Sequence, residues 1–131
     1  MTKDRLFHKE YAPELLRIAE NDLLAARTLA TNPEVRRESV FFMVQQSVEK
    51  SLKALLCHYG KSIPMIHDIE LLADRLGNLA PREAAELADL SDFAAVRRYE
   101  EGKFILTDEE FTEAVAAADR VVRHCRKAIG K

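Results

Sequence analysis

The sequence is poor in the residues that punctuate or staple a chain. Only four of its 131 residues are Gly and four are Pro, too few for a turn-rich β-sandwich or a disordered chain. Trp is absent and aromatic residues make up only 7%. Cys57 and Cys125 stand alone, without Cys-x-x-Cys spacing; each falls in a helical pattern and reads as a small buried thiol. The longest stretch without a charge, Ser39 to Val48, is ten residues, half of a membrane span. The first ten residues are charged and lack the apolar segment of a secretory signal, so a cytoplasmic protein away from the membrane is expected. Neither sign of charge prevails: 20 Lys and Arg against 22 Asp and Glu give −2. That balance argues against coating nucleic acid by bulk electrostatics, while leaving room for a local basic patch.

What remains is helical periodicity. With 131 residues the chain can bury roughly two thirds of the surface it exposes unfolded, enough to close a core without disulfides or a structural metal. There is no repeat or long linker, so a single domain over residues 1–131 is expected, with its core from about 12 to 128. A first helix is predicted from Ala12 to Ala30, on the spacing of Leu16, Ala19, Leu23, Ala26 and Ala30. Asn32-Pro33 breaks it and is read as the cap and first position of a long second helix, Pro33 to Tyr59. That helix carries the stripe Phe41, Val44, Val48, Leu52, Leu55 and Tyr59 and is stopped by Gly60. A short helix follows from about Asp68 to Leu76, then a fourth from Pro81 to about Val96 and a loop from Arg97 to Leu106. Thr107-x-x-Glu110 is a capping-box signature that opens a last helix running to about Ala128. The β-branched alternation of strands is missing, and Phe104-Ile105-Leu106 is too short to supply it. The fold class is all-α: an up-down antiparallel bundle of four long helices and one short one.

The chemistry-bearing residues concentrate on the second helix. At 100° per residue, Gln46, Glu49, Lys50 and Lys53 share a face, framed by Phe42 and Leu56. That face is either a solvated surface with a Glu49–Lys53 pair or a polar pocket, and neighbouring Gln45 needs a partner if buried. Asp22 borders the apolar side of the first helix and calls for a basic partner or a ligand. Arg97-Arg98-Tyr99 closes the fourth helix, where guanidiniums complement the helix dipole or offer planar donors to phosphate, with a ring able to stack a base. Arg120, Arg123, Arg126 and Lys127 read as the solvated basic end of the last helix. The four histidines lack His-x-x-x-His spacing, and no phosphate-cradling glycine loop or Gly-x-Ser-x-Gly elbow occurs. Nothing calls for a metal or cofactor.

Taken in order, Asn21-Asp22-Leu23-Leu24-Ala25-Ala26, Phe42-x-x-Gln45-Gln46-x-x-Glu49-Lys50-x-x-Lys53-Ala54-Leu55-Leu56, Gly60, His67-Asp68 with Leu71-Leu72, and Arg98-Tyr99 resemble the HEPN domain. The resemblance runs from about Ala12 to Ala128. It implies a helical bundle that usually dimerises and acts beside a small nucleotidyltransferase, or in RNA- and nucleotide-related defence and toxin–antitoxin systems. Many HEPN proteins are metal-independent ribonucleases with an Arg-x4–6-His motif. Here the positions that motif assigns to His, counted from Arg97 or Arg98, hold Gly102, Lys103, Phe104 and Ile105. Glu100 stands where a proline commonly follows Arg-Tyr. The expectation is therefore a nucleotide-binding or partner subunit using Asp22, Gln46, Glu49, Lys50, Lys53, Arg97, Arg98 and Tyr99. A ribonuclease with a non-standard site and a purely structural dimerising bundle are the alternatives. If the second helix and the end of the fourth meet, Lys50, Lys53, Arg97 and Arg98 outnumber Glu49 and the pocket is positive; the opposing expectation is a self-neutralised network of Asp22 and Glu49 with Lys53 and Arg98.

Overall fold

A computed structural model describes residues 4–101 and 106–130, and of 93–101 the backbone only. Five helices follow in order: α1 (Ala12–Ala30), α2 (Arg37–His58), α3 (Ile69–Leu76), α4 (Glu83–Glu101) and α5 (Asp108–Ile129). They form the expected all-α bundle. A two-residue antiparallel bridge joins β1 (Asp4–Arg5) to β2 (Ile63–Pro64), with Asp4 opposite Pro64 and Arg5 opposite Ile63. Nothing in the side-chain pattern announced that bridge, because two residues are too few to show a period.

The second helix is the hub, packing on α1, α3, α4 and α5. Its expected stripe is buried at Phe41, Val44, Val48, Leu52 and Leu55, but the arc is wider than one stripe and takes in Ser47, Glu49, Ser51, Ala54, Leu56 and Cys57. Leu56, expected to frame a polar face, is fully buried, because α2 is covered on several sides. Tyr59, expected inside, lies beyond the last helical residue and is exposed, as is Ala30 at the end of α1. The α1 core is Ala12, Leu16, Ala19, Leu23 and Ala26.

Two boundaries differ from the sequence reading. Asn32 does not cap α2: its Oδ1 accepts from Glu34 N at 2.9 Å and its carbonyl from Val35 N at 3.1 Å. The Asn-Pro segment closes a turn on itself, as Asx side chains do, and α2 starts only at Arg37, after Arg36 in extended conformation. Later in the chain α4 continues past Val96 to Glu101, since Arg97-Arg98-Tyr99-Glu100-Glu101 contains no breaker before Gly102. The capping box of α5 is present in full: Glu110 N donates to Thr107 Oγ1 at 3.0 Å, and Thr107 N to Glu110 Oε1 at 2.9 Å.

Candidate functional site

Glu49 and Lys50 are neighbours on α2, and the fold treats them differently. Lys50 reaches α1, where its Nζ donates to Asp22 Oδ2 at 2.7 Å. Both side chains remain partly open, 32% and 26% exposed. This is the basic partner that Asp22 required, supplied among the described side chains by Lys50 rather than Lys53. Glu49 turns inward. Its side chain is only 8% exposed, and Oε1 lies 2.8 Å from Nδ1 of His67, which stands in the open just before α3. The i,i+4 partner Lys53 contributes charge through space rather than the hydrogen bond.

Asp68 is the N-cap of α3, its Oδ1 accepting from Leu71 N at 3.2 Å. That cap fixes where the chain enters α3 and therefore where His67 stands. Burial raises the pKa of Glu49 above the ordinary glutamate value, and the nearby Asp68 charge adds to the rise. The His67 hydrogen bond and the charges of His67 and Lys53 pull the other way and do not overcome burial.

Glu49 opens onto a small cavity of about 220 Å³ between α2, the start of α3 and α4, bounded also by Gln45, His67, Asp68, Ser91 and Asp92. Ser91 Oγ is buried with no hydrogen-bond partner among the described residues. Gln45, which wanted a partner, is half-buried at this cavity. Glu49, Asp68, Glu70 and Asp92 face a single imidazole here, so the described part of the lining is acidic. The side chains of Arg97, Arg98 and Tyr99, on which the expectation of a positive pocket rested, lie outside the described residues. Their backbone belongs to α4, the helix that also contributes Ser91 and Asp92. Gln46 and Lys53 are half-buried on α2, and Phe42 is 60% exposed. Sequence reasoning confined His67 to the start of α3 and missed Ser91 and Asp92. The His67-Asp68 pair marked the start of α3, but nothing local showed which helix would meet it.

A family model, the HEPN domain, matches residues 12–128. The chain belongs to the HEPN family. No curated protein and no solved structure matches it. HEPN membership carries a nucleotide-related or ribonuclease-like function. The match covers every residue that lines this cavity, from Gln45 to Asp92, and also the Asp22–Lys50 pair. Among the described residues no helix is long and apolar enough to cross a membrane, and no cluster of three or more His, Cys, Asp or Glu is arranged to hold a metal ion.

Proposed function

We propose that this HEPN protein binds a nucleotide at the α2–α3–α4 cavity and serves as the partner subunit of a small nucleotidyltransferase, in a toxin–antitoxin or defence setting. The observation that carries this is Glu49: a carboxylate buried beside a polar cavity, held by one hydrogen bond from a histidine that is 74% exposed. A bundle needs no charge at that position, and an amide would fill it at lower desolvation cost. As a ligand group it makes sense. Glu49, Gln45 and the Ser91 hydroxyl offer acceptors to the amino group of a base or a ribose hydroxyl, with Gln46 as a further hydrogen-bonding group. Lys53, Arg97 and Arg98 supply the cations for phosphate, and Tyr99 the ring for stacking. Asp22 and Lys50 brace the α1–α2 wall of the site. Exposed Phe42, Ile18 and Leu24 give a partner apolar surface to cover, and the assembly is a homodimer or a complex with the nucleotidyltransferase.

Calorimetric titration with ATP, GTP and short RNA tests the site. Binding should weaken as salt rises and vanish in Glu49→Gln and in Lys53→Ala with Arg98→Ala, with helical content unchanged. No wild-type binding at millimolar nucleotide overturns the nucleotide reading. Light scattering that shows only the 14.9 kDa monomer, with and without a nucleotidyltransferase, overturns the partner reading. Labelled RNA should remain uncut, because acid–base cleavage of the backbone normally uses a histidine that the motif position lacks; robust cleavage lost in Arg98→Ala would reverse that expectation.

A further inference from the structure

A larger concavity lies elsewhere, at the end of the bundle where α2 and α5 begin. It encloses about 1190 Å³, above the usual range of small-molecule pockets. Its geometry follows from two helix starts held side by side. The Asn32 turn delays α2 to Arg37, the capping box starts α5 at Asp108, and Arg37 ties the two together. The Arg37 guanidinium donates to the Leu106 carbonyl at 3.2 Å, pairs with Asp108 at 2.5 Å and lies 5.1 Å over the Phe111 ring. Arg37 to Glu49 is twelve residues, about 18 Å along the helix, so this groove is separate from the Glu49 cavity.

Among the described residues four guanidiniums from separate stretches of chain line it, Arg27 of α1, Arg36 before α2, Arg37 of α2 and Arg120 of α5, with two carboxylates, Asp108 and Asp119. Each arginine is paired, Arg27 with Asp119, Arg36 with Glu38, and Arg120 with Glu83 and Glu113 at 3.5 Å each. These arginines are 42–73% exposed, while their partners range from 18% at Glu38 to 91% at Asp108; pairs with an open guanidinium are worth about 0–1 kcal/mol each and leave donors for a further anion. Arg36 at the N-cap of α2 makes no side-chain cap, so the first amides of that helix also favour an acceptor. Between the charges the floor is aliphatic: Val35, Val40, Leu106 and Val115.

We propose that this groove docks an acidic amphipathic segment of a protein partner, its carboxylates taken by Arg27, Arg36, Arg37 and Arg120 and its aliphatic side chains set on Val35, Val115 and the Phe111 edge. Charge complementarity selects the acidic partner, and the aliphatic floor selects peptide over nucleic acid. Single-stranded RNA needs open rings for its bases, and among the described residues the ring in this lining, Phe111, is already covered by Arg37.

The test uses fluorescence anisotropy with a labelled peptide of about four helical turns, Leu at three- and four-residue spacing and Glu elsewhere. Controls are the same peptide with Lys for Glu and a labelled oligouridine. The acidic peptide should bind saturably, more weakly as salt rises, and about tenfold more weakly to Arg36→Glu and to Arg120→Ala. Amide shifts in the wild type should map to Arg27, Arg36, Arg37 and Phe111. Arg36 is mostly exposed, so Arg36→Glu should keep its helical content and its nucleotide titration. Failure of the acidic peptide to saturate, binding that ignores both substitutions, equal binding of the Lys peptide, or tighter binding of oligouridine at the same amides would each overturn the proposal.

Discussion

Replacing Glu49 by glutamine separates the cost of the buried charge from its use. Burial raises the pKa of Glu49 in the fold, so the folded state holds the proton to higher pH than the unfolded chain does. Stability from this group is therefore complete below the ordinary glutamate range and falls as pH climbs through the raised folded value. Glu49→Gln cannot ionise and escapes that fall. The side chain is 8% exposed, and a glutamine there removes the cost of ionising a carboxylate away from water. The His67 hydrogen bond and the Lys53 charge offset part of that cost, so the expected gain is about 1–2 kcal/mol at pH 8 and near zero at pH 4. In a domain of this size that is a rise in Tm of about 3–8 °C. Urea melts followed by circular dichroism at both pH values measure the gap. A gap that does not change with pH, or a variant less stable than wild type by more at pH 8 than at pH 4, would show that attraction to His67 and Lys53 outweighs burial and would refute the reasoning.

Three other outcomes follow from the packing and the ion pairs. A double-mutant cycle of Asp22→Asn and Lys50→Met should give a coupling of about 0.5–1 kcal/mol that shrinks with added salt, because both side chains are partly open. Leu52→Ala, at a fully buried position of α2, should cost about 2–5 kcal/mol in denaturant melts. Cys125 is fully buried, and burial pushes its thiol up to about 12; it should resist a thiol reagent at pH 8 in the native protein and react once urea unfolds the chain.

The ends of α1 and α5 were legible because local chemistry decides them. Pro13 and Asn32-Pro33 bracket the first helix, and the Thr107–Glu110 box opens the last. The start of α2 was misread for an equally local reason. Asn32 serves a cap or a turn with the same oxygen, and only the extended Arg36 that follows decides between them. Leu56 and Glu49 were misplaced for a non-local reason. Periodicity predicts one buried stripe, but a helix touched by four others buries most of its circumference, and no window along α2 reveals how many neighbours it has. The Asp22 partner was legible as a need, without its owner. The His67 contact was not, because it depends on where a capped helix arrives after a ten-residue excursion from the end of α2.

Glu49 and Lys50 show how burial assigns different work to adjacent charges. Lys50 meets Asp22 near the surface, where a pair costs little and contributes little. Glu49 lies one position away under α3, where a carboxylate destabilises the fold that holds it. The same site has a hydroxyl, Ser91 Oγ, without a partner among the described residues. Under the nucleotide reading proposed above, these are the two groups that a bound polar ligand would complete. A bundle optimised for stability alone would place an amide or an aliphatic side chain at position 49 and alanine at 91. Under that proposal, added nucleotide should raise the stability of the wild type by an amount set by ligand concentration over its dissociation constant.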